Sequence, residues 1–450
     1  MISIINAKIV NEGRIFSGSL KINGDTLAEV AAEGTPFTPE GEIIDAQGAY
    51  VMPGVIDEHV HFREPGLTHK ADMLSETTAA AAGGVTTFFD MPNTSPQTTS
   101  LQALADKYKL AAQNSRVNYA FYIGATNDNA AELEAVNPDD VPAIKLFMGA
   151  STGNMLVEKD LALDQVFAIA TAKQLPVVTH CEDSEMIAEN EAEARAEEGD
   201  NAPVECHAFI RNEFVCLCST LKAIALAQKH NAELLVAHIS TKSELEAIEA
   251  AGDKIQAEGC VQYLYYNLDD YAKLGGRIKC NPAIKTRDDQ QALRQALTNG
   301  QLLTIATDHA PHLLADKQGG VFQATSGMPG LQFSLVLMLQ LADKGVLPIE
   351  QVAQLMSHNP AQYFKVCKRG FLRPGYKADL VMVKRTENAH TIADADVLSK
   401  CGWTPYIGQK TNWQVEATYC NGVKIYQHGE GITAPDFRGE KVEFKHAHNS

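Results

Sequence analysis

The stretch "GVIDEHVHF" (54–62), with its continuation "REPG" (63–66), decides how the rest of the chain is read. An apolar run of strand length ends in His59 and His61, and Arg63 stands two residues further on. Side chains alternate faces along a strand, so Asp57, His59, His61 and Arg63 fall on one face. Crowding cationic and metal-seeking groups together is costly unless a bound ion or ligand offsets it.

Seven further runs share that apolar character: "VTTFFDM", "VNYAFYI", "AIKLFM", "PVVTHC", "LLVAHI", "KIQAEGC" and "LLTIATD". Helical stretches separate them, such as "LQALADKYKLAAQ", "LALDQVFAIATAKQ", "EFVCLCSTLKAIALAQKH", "KSELEAIEAA" and "RDDQQALRQALTN". Eight runs alternating with helices predict an α/β protein built on a (β/α)₈ barrel, with a doubly wound open sheet as the alternative. Both chain ends read as short strands and turns, with hairpin signals at Asn23-Gly24 and Asn421-Gly422.

Composition sets outer limits. The 450 residues are 45% hydrophobic and 21% charged, enough for a sizeable core. A formal net charge of -18 argues against a general nucleic-acid or anionic-membrane binder, though not against a small anionic substrate. Nine cysteines form no paired framework, no signal peptide opens the sequence, and no run is long enough to span a membrane. A cytoplasmic protein with reduced thiols is expected. The Cys216/Cys218 pair is read as two helix residues.

Barrel strands are apolar inside, so polar residues at their C-terminal ends are informative. The first strand ends in His59 and His61, the fourth carries Lys145, the fifth ends in His180, the sixth in His238 and the eighth in Asp308. All would open onto the face where barrel enzymes build their sites. Imidazole nitrogens with a carboxylate suit zinc. Six groups exceed the needs of one tetrahedral catalytic ion and fit two metals about 3.5–4 Å apart. A lysine ammonium would repel both cations, whereas a lysine carboxylated by carbon dioxide is an anionic bridge.

Together these motifs make the chain resemble the amidohydrolase superfamily, and within it the dihydroorotases of the larger bacterial-type class. The resemblance runs through "DEHVHFREPG" (57–66), "DMPNTSP" (90–96), "KLFMGASTG" (145–153), "THCED" (179–183), "AHIST" (237–241), "KCNPAIK" (279–285) and "ATDHAPH" (306–312). It implies a composite β-sandwich from residues 1–52 and 368–450 beside a catalytic barrel at 53–367. It implies two zinc ions per chain, bridged by carboxylated Lys145 and a hydroxide. His59, His61 and Asp308 would hold one ion, and His180 and His238 the other. Asp308 would also be the catalytic proton carrier. Arg63, Asn93 and His312 would bind the substrate carboxylate, Asn281 the ring, and Gly327 would offer backbone contacts from a mobile loop at 313–330. The implied reaction is the reversible cyclisation of N-carbamoyl-L-aspartate to L-dihydroorotate in pyrimidine biosynthesis, carried out by a homodimer. Asp57 would orient one of the metal histidines.

Two departures stand out. Gly149 occupies the place where many members carry a bridging aspartate, and Gln262-Tyr263 replaces a usual His-His pair. Rival readings are a hydantoinase, dihydropyrimidinase or allantoinase, and a catalytically inactive relative serving as a structural partner. No G-x-S-x-G elbow supports a serine hydrolase, and "GASTGN" (149–154) lacks the Gly-Lys-Ser/Thr of a phosphate loop.

Overall fold

A computed structural model describes residues 1–149 and 155–446. Residues 150–153 of "KLFMGASTG", and nearly all of "GASTGN", lie outside the described residues. Five N-terminal strands come first: β1 (Ile2–Asn11), β2 (Arg14–Asn23), β3 (Thr26–Ala32), β4 (Glu42–Asp45) and β5 (Tyr50–Pro53). The barrel follows as β6 (Val55–Val60), β7 (Val85–Asp90), β8 (Asn118–Phe121) with its continuation β9 (Ile123–Gly124), β10 (Ile144–Phe147), β11 (Val177–His180), β12 (Leu234–Val236), β13 (Ile255–Cys260) and β14 (Thr304–Ala306). All eight expected runs are strands, and helices occupy the five quoted helical stretches.

These strands pair in parallel along two arcs, β6-β7-β8 and β9-β10-β11-β12-β13-β14. What decides between barrel and open sheet is the closure. Val60 bridges His309 in parallel just beyond β14, and the His61 N–H donates to the His309 carbonyl at 2.7 Å. The first strand therefore meets the last, and the sheet is a closed barrel.

The C-terminal strands β15 (Leu380–Thr391), β16 (Lys410–Cys420), β17 (Val423–Gln427) and β18 (Gly431–Ile432) join the N-terminal ones. The order is β18-β17-β16-β15-β5-β1-β2-β3, with β4 beside β1, so β15 pairing with β5 unites the two chain ends. Ile4, Leu20, Leu27, Leu380 and Tyr419 share its core. Both expected hairpins form. Asn421 and Gly422 take φ values of 48° and 76°, as a two-residue turn between twisted strands requires. A Cβ on Gly422 would lie 2.0 Å from the Gly24 carbonyl oxygen, so the two hairpin turns can touch only because a glycine stands there.

One boundary differs from expectation. Beyond β18 the chain leaves the terminal sheet and runs under the barrel. The Tyr119 N–H donates to Glu440 at 3.0 Å and the Val442 N–H to Tyr119 at 2.9 Å. Val442 and Phe444 pack with Phe89, Tyr122 and Phe364. Two apolar side chains in a polar tail were too weak a signal to place it. Among the described residues, no helix is long and apolar enough to cross a membrane.

Candidate active site

His59 and His61 leave the end of β6 and meet Asp308 just past β14. Asp308 Oδ1 lies 3.0 Å from His61 Nε2 and 3.4 Å from His59 Nε2. Their other nitrogens are committed, His59 Nδ1 to Glu258 Oε1 at 2.7 Å and His61 Nδ1 to Asn93 Oδ1 at 2.7 Å. Glu258 Oε1 also accepts the His238 N–H at 3.0 Å, so it is an acceptor and the His59 proton sits on Nδ1. Burial, with the charge of Lys145 behind it, holds His59 well below the ordinary imidazole value. The two Nε2 atoms thus face a carboxylate oxygen, with ligand atoms of all three residues within 4.8 Å of one another. Three converging ligand atoms of this kind suit a bound cation. Burial works against the Asp308 charge, but the His61 bond and the fields of His59, His61 and Lys145 hold its carboxyl below the usual range.

A second group flanks the first. His180 Nδ1 lies 2.9 Å from His238 Nε2, and their rings stand 4.8 Å apart. His180 Nε2 is held at 2.9 Å by Glu182, itself ion-paired with Arg211. Burial lowers both histidines, so both rings are neutral and able to act as ligands. Lys145 is wholly buried beneath them, and its Nζ has no hydrogen-bond partner among the described residues. Burial lowers its amine to about 8 against the pull of Glu258 and Asp308. An isolated buried amine is costly, and conversion to an anion facing metals would remove that cost. The donor set therefore fits a dinuclear centre.

A cavity opens between these groups. His59, His61, Arg63, Asn93, His180, His238, Asn281, Asp308 and Gly327 line it, with Phe147, Ala310 and Ser326. Arg63 is buried with a left-handed φ of 66°. Its Nε donates to the Pro311 carbonyl at 3.0 Å, and Nη2 lies 3.1 Å from His312 Nε2. No carboxylate forms an ion pair with it among the described residues, and burial lowers it to about 10. His312 stands behind Arg63 and outside the cavity lining. Its Nδ1 meets Lys70 at 3.3 Å, and Trp403 donates to its carbonyl at 2.8 Å.

Three expectations need correction. Asp57 does not orient a histidine ring. Its carboxylate accepts from Thr307 Oγ1 at 2.6 Å and from the Thr307 and His59 N–H groups, bracing the first strand against the last. Burial pushes it up to about 7. Glu258 does the orienting instead. Gly327 lines the cavity, but its N–H is already donated to Lys279 at 2.9 Å and its carbonyl accepts from Lys317 at 2.7 Å. The loop at 313–330 is tied down, not hung as a flap: the buried Lys317 Nζ also donates to the carbonyls of Lys279 and Thr325.

Both departures acquire a local cause. A Cβ on Gly149 would stand 2.2 Å from the Glu182 carbonyl oxygen, so no aspartate fits there. Tyr263 donates to the Pro282 carbonyl at 2.8 Å, supporting the wall that carries Asn281. Sequence reasoning passed over Glu258, Glu182 and His207. A charged residue inside the apolar strand "KIQAEGC" was the available signal for Glu258. His207 gave none.

A closed barrel whose strands gather four imidazoles, an aspartate and a buried lysine defines a metal-dependent hydrolase. Comparison with known proteins makes the class specific. The amidohydrolase family pattern matches residues 50–425. A dihydroorotase from Halobacterium salinarum is 32% identical over 444 residues, covering 98% of this chain and 99% of that protein. An allantoinase from Deinococcus radiodurans is 32% identical over 426 residues, covering 92% and 93%. The solved L-hydantoinase (dihydropyrimidinase) from Arthrobacter aurescens matches with a TM-score of 0.93 at 27% identity, covering 98% of this chain and 99% of that one. The chain belongs to the amidohydrolase family, and it is a cyclic amide hydrolase.

Proposed function

We propose that the protein is a dihydroorotase, interconverting N-carbamoyl-L-aspartate and L-dihydroorotate. The observation that carries this reading is Arg63, a buried guanidinium on the cavity wall with no carboxylate partner among the described residues. A buried unpaired cation is expensive, and a substrate carboxylate is the group its planar fork matches. Dihydroorotate carries such a group, whereas hydantoin, dihydrouracil and allantoin do not.

In this reading His59, His61 and Asp308 would hold one zinc and His180 and His238 the second, with Lys145, once carboxylated, as a further anionic ligand to the centre. When bound, the pair would polarise the ring carbonyl and activate water. The remaining work falls to the chain. Asp308, pinned between His59 and His61, takes the proton of the attacking water and delivers it to the departing ring nitrogen. Arg63, held by Pro311 and His312, sets the substrate's register, and Asn93 keeps the His61 ring in place through Nδ1. Fixed walls on both sides hold the ring over Asp308, and orientation of this kind supplies much of a barrier reduction.

The test is a side-by-side assay of purified enzyme on dihydroorotate, dihydrouracil, hydantoin and allantoin. Preference for dihydroorotate by kcat/KM is expected; preference for a ring without a carboxylate would sink the proposal.

A further inference from the structure

His207 is buried on the short helix Cys206–Ile210, between the fifth and sixth barrel strands, and the chemistry above does not use it. Its Nε2 faces two oxygens, the Cys280 carbonyl at 2.8 Å and Asn281 Oδ1 at 3.1 Å. A carbonyl oxygen only accepts, so Nε2 must carry a proton. Burial, reinforced by Lys279 and Arg211, holds His207 well below the ordinary imidazole value, which makes the ring neutral and this tautomer the stable one.

That proton decides the orientation of a neighbour. An asparagine amide can turn over and exchange its oxygen and nitrogen. Turned over here, Asn281 would set an NH₂ against the Nε2–H, donor against donor, and the Cys280 carbonyl prevents the histidine from yielding its proton. Asn281 therefore keeps its oxygen toward His207, and its NH₂ is directed away. The side chain lines the cavity beside His180, His238 and Asp308.

We propose that His207 is a positioning residue, fixing the Asn281 amide so that its NH₂ donates to a carbonyl oxygen of the cyclic amide ring. The site thereby selects rings that present an acceptor at that edge and rejects rings that present an N–H. A site built to satisfy a polar group discriminates strongly, because the wrong ring leaves that group unpaired. The inference rests on the cyclic-amide reading of the site and not on the substrate carboxylate.

The test is a mutant cycle in the zinc-loaded, full-length enzyme, run on dihydroorotate or on whichever cyclic amide the wild type turns over. His207→Phe is expected to raise KM about tenfold, the worth of one good hydrogen bond, with a smaller change in kcat. His207→Gln keeps an N–H donor at similar reach and should restore most of the loss. In an Asn281→Ala background, His207→Phe should add less than about a twofold further effect, the mark of a pair acting as one unit. Equal effects of His207→Phe in both backgrounds would overturn the proposal. Should the phenylalanine variant fail to fold, ¹⁵N spectra of histidine-labelled wild type carry the test. They must show a protonated Nε2 and a bare Nδ1 on His207 from about pH 6 to 9, and the reverse tautomer or a titrating ring refutes the assignment. A wild type inactive on every ring would count against the proposed function while leaving that spectrum unchanged.

Discussion

Replacing Arg63 by lysine separates charge from shape at the cavity wall. Arg63 is 2% exposed, tethered through Nε to Pro311 at 3.0 Å, and aimed by its contact with His312 at 3.1 Å. A bidentate grip on a carboxylate is two charge-assisted hydrogen bonds of about 1.5–3 kcal/mol each. Lysine keeps the charge but can supply only one of them, and it cannot also reach Pro311. The expected loss is about 2–3 kcal/mol, so KM for dihydroorotate should rise roughly 30- to 150-fold, with kcat within a few-fold of wild type. Steady-state kinetics on dihydroorotate and on dihydrouracil read the two arms. Dihydrouracil lacks the carboxylate, so any residual activity on it should be indifferent to the change. An unchanged KM for dihydroorotate, or an equal loss on both rings, would show that Arg63 does not clamp a carboxylate.

Other perturbations test the metal centre and its walls. Purified protein should contain two zinc ions per chain by elemental analysis, and one or none would refute the dinuclear reading. Asp308→Asn should lower turnover by about a thousandfold or more while leaving most of the metal in place, since His59 and His61 remain; retained activity would remove the proton-carrier role. Glu258→Gln weakens the acceptor that holds His59 Nδ1, so zinc affinity measured by chelator competition should fall about 10- to 100-fold, and an unchanged affinity would show that Glu258 does not tune the ligand. Lys317→Met strips three carbonyls of their shared donor at a cost of about 2–4 kcal/mol. Proteolytic cleavage between residues 318 and 326 should accelerate, and an unaltered rate would mean the loop is held by other contacts.

The barrel was readable because its signals are local and repeated. Each apolar run is short, each is followed by a helix, and the histidines and Asp308 fall at or just past the same end of their strands. What escaped was the layer that touches the site residues from behind. Glu258 is 199 positions from His59, and Glu182 pairs with Arg211 across 29 residues. Such pairings come from closure of the barrel, which no local periodicity encodes. Asp57 failed for a related reason: the pairing of β6 with β7 slips between Asp57 and Val60, so simple alternation no longer carries one face through to the histidines.

Arg63 lines the cavity for a reason that strand alternation does not supply. Period-two spacing puts it on the histidine face only if the strand continues, yet β6 ends at Val60. The residue reaches the cavity because the chain turns, with φ at 66°. His238 and Asp308 also sit in the left-handed region, at 42° and 47°, again at the ends of barrel strands. For side chains other than glycine this backbone costs of order 1–3 kcal/mol per residue and persists only where surrounding contacts impose it. At three strand ends the backbone is bent out of extended geometry at a residue that lines the cavity. The bend aims the side chain over the barrel mouth, a direction that continued pleating could not give. If that aim is what the strain serves, a glycine at position 308 would relax the backbone and abolish function together, whereas Asp308→Asn would keep the bend and lose only the proton transfer.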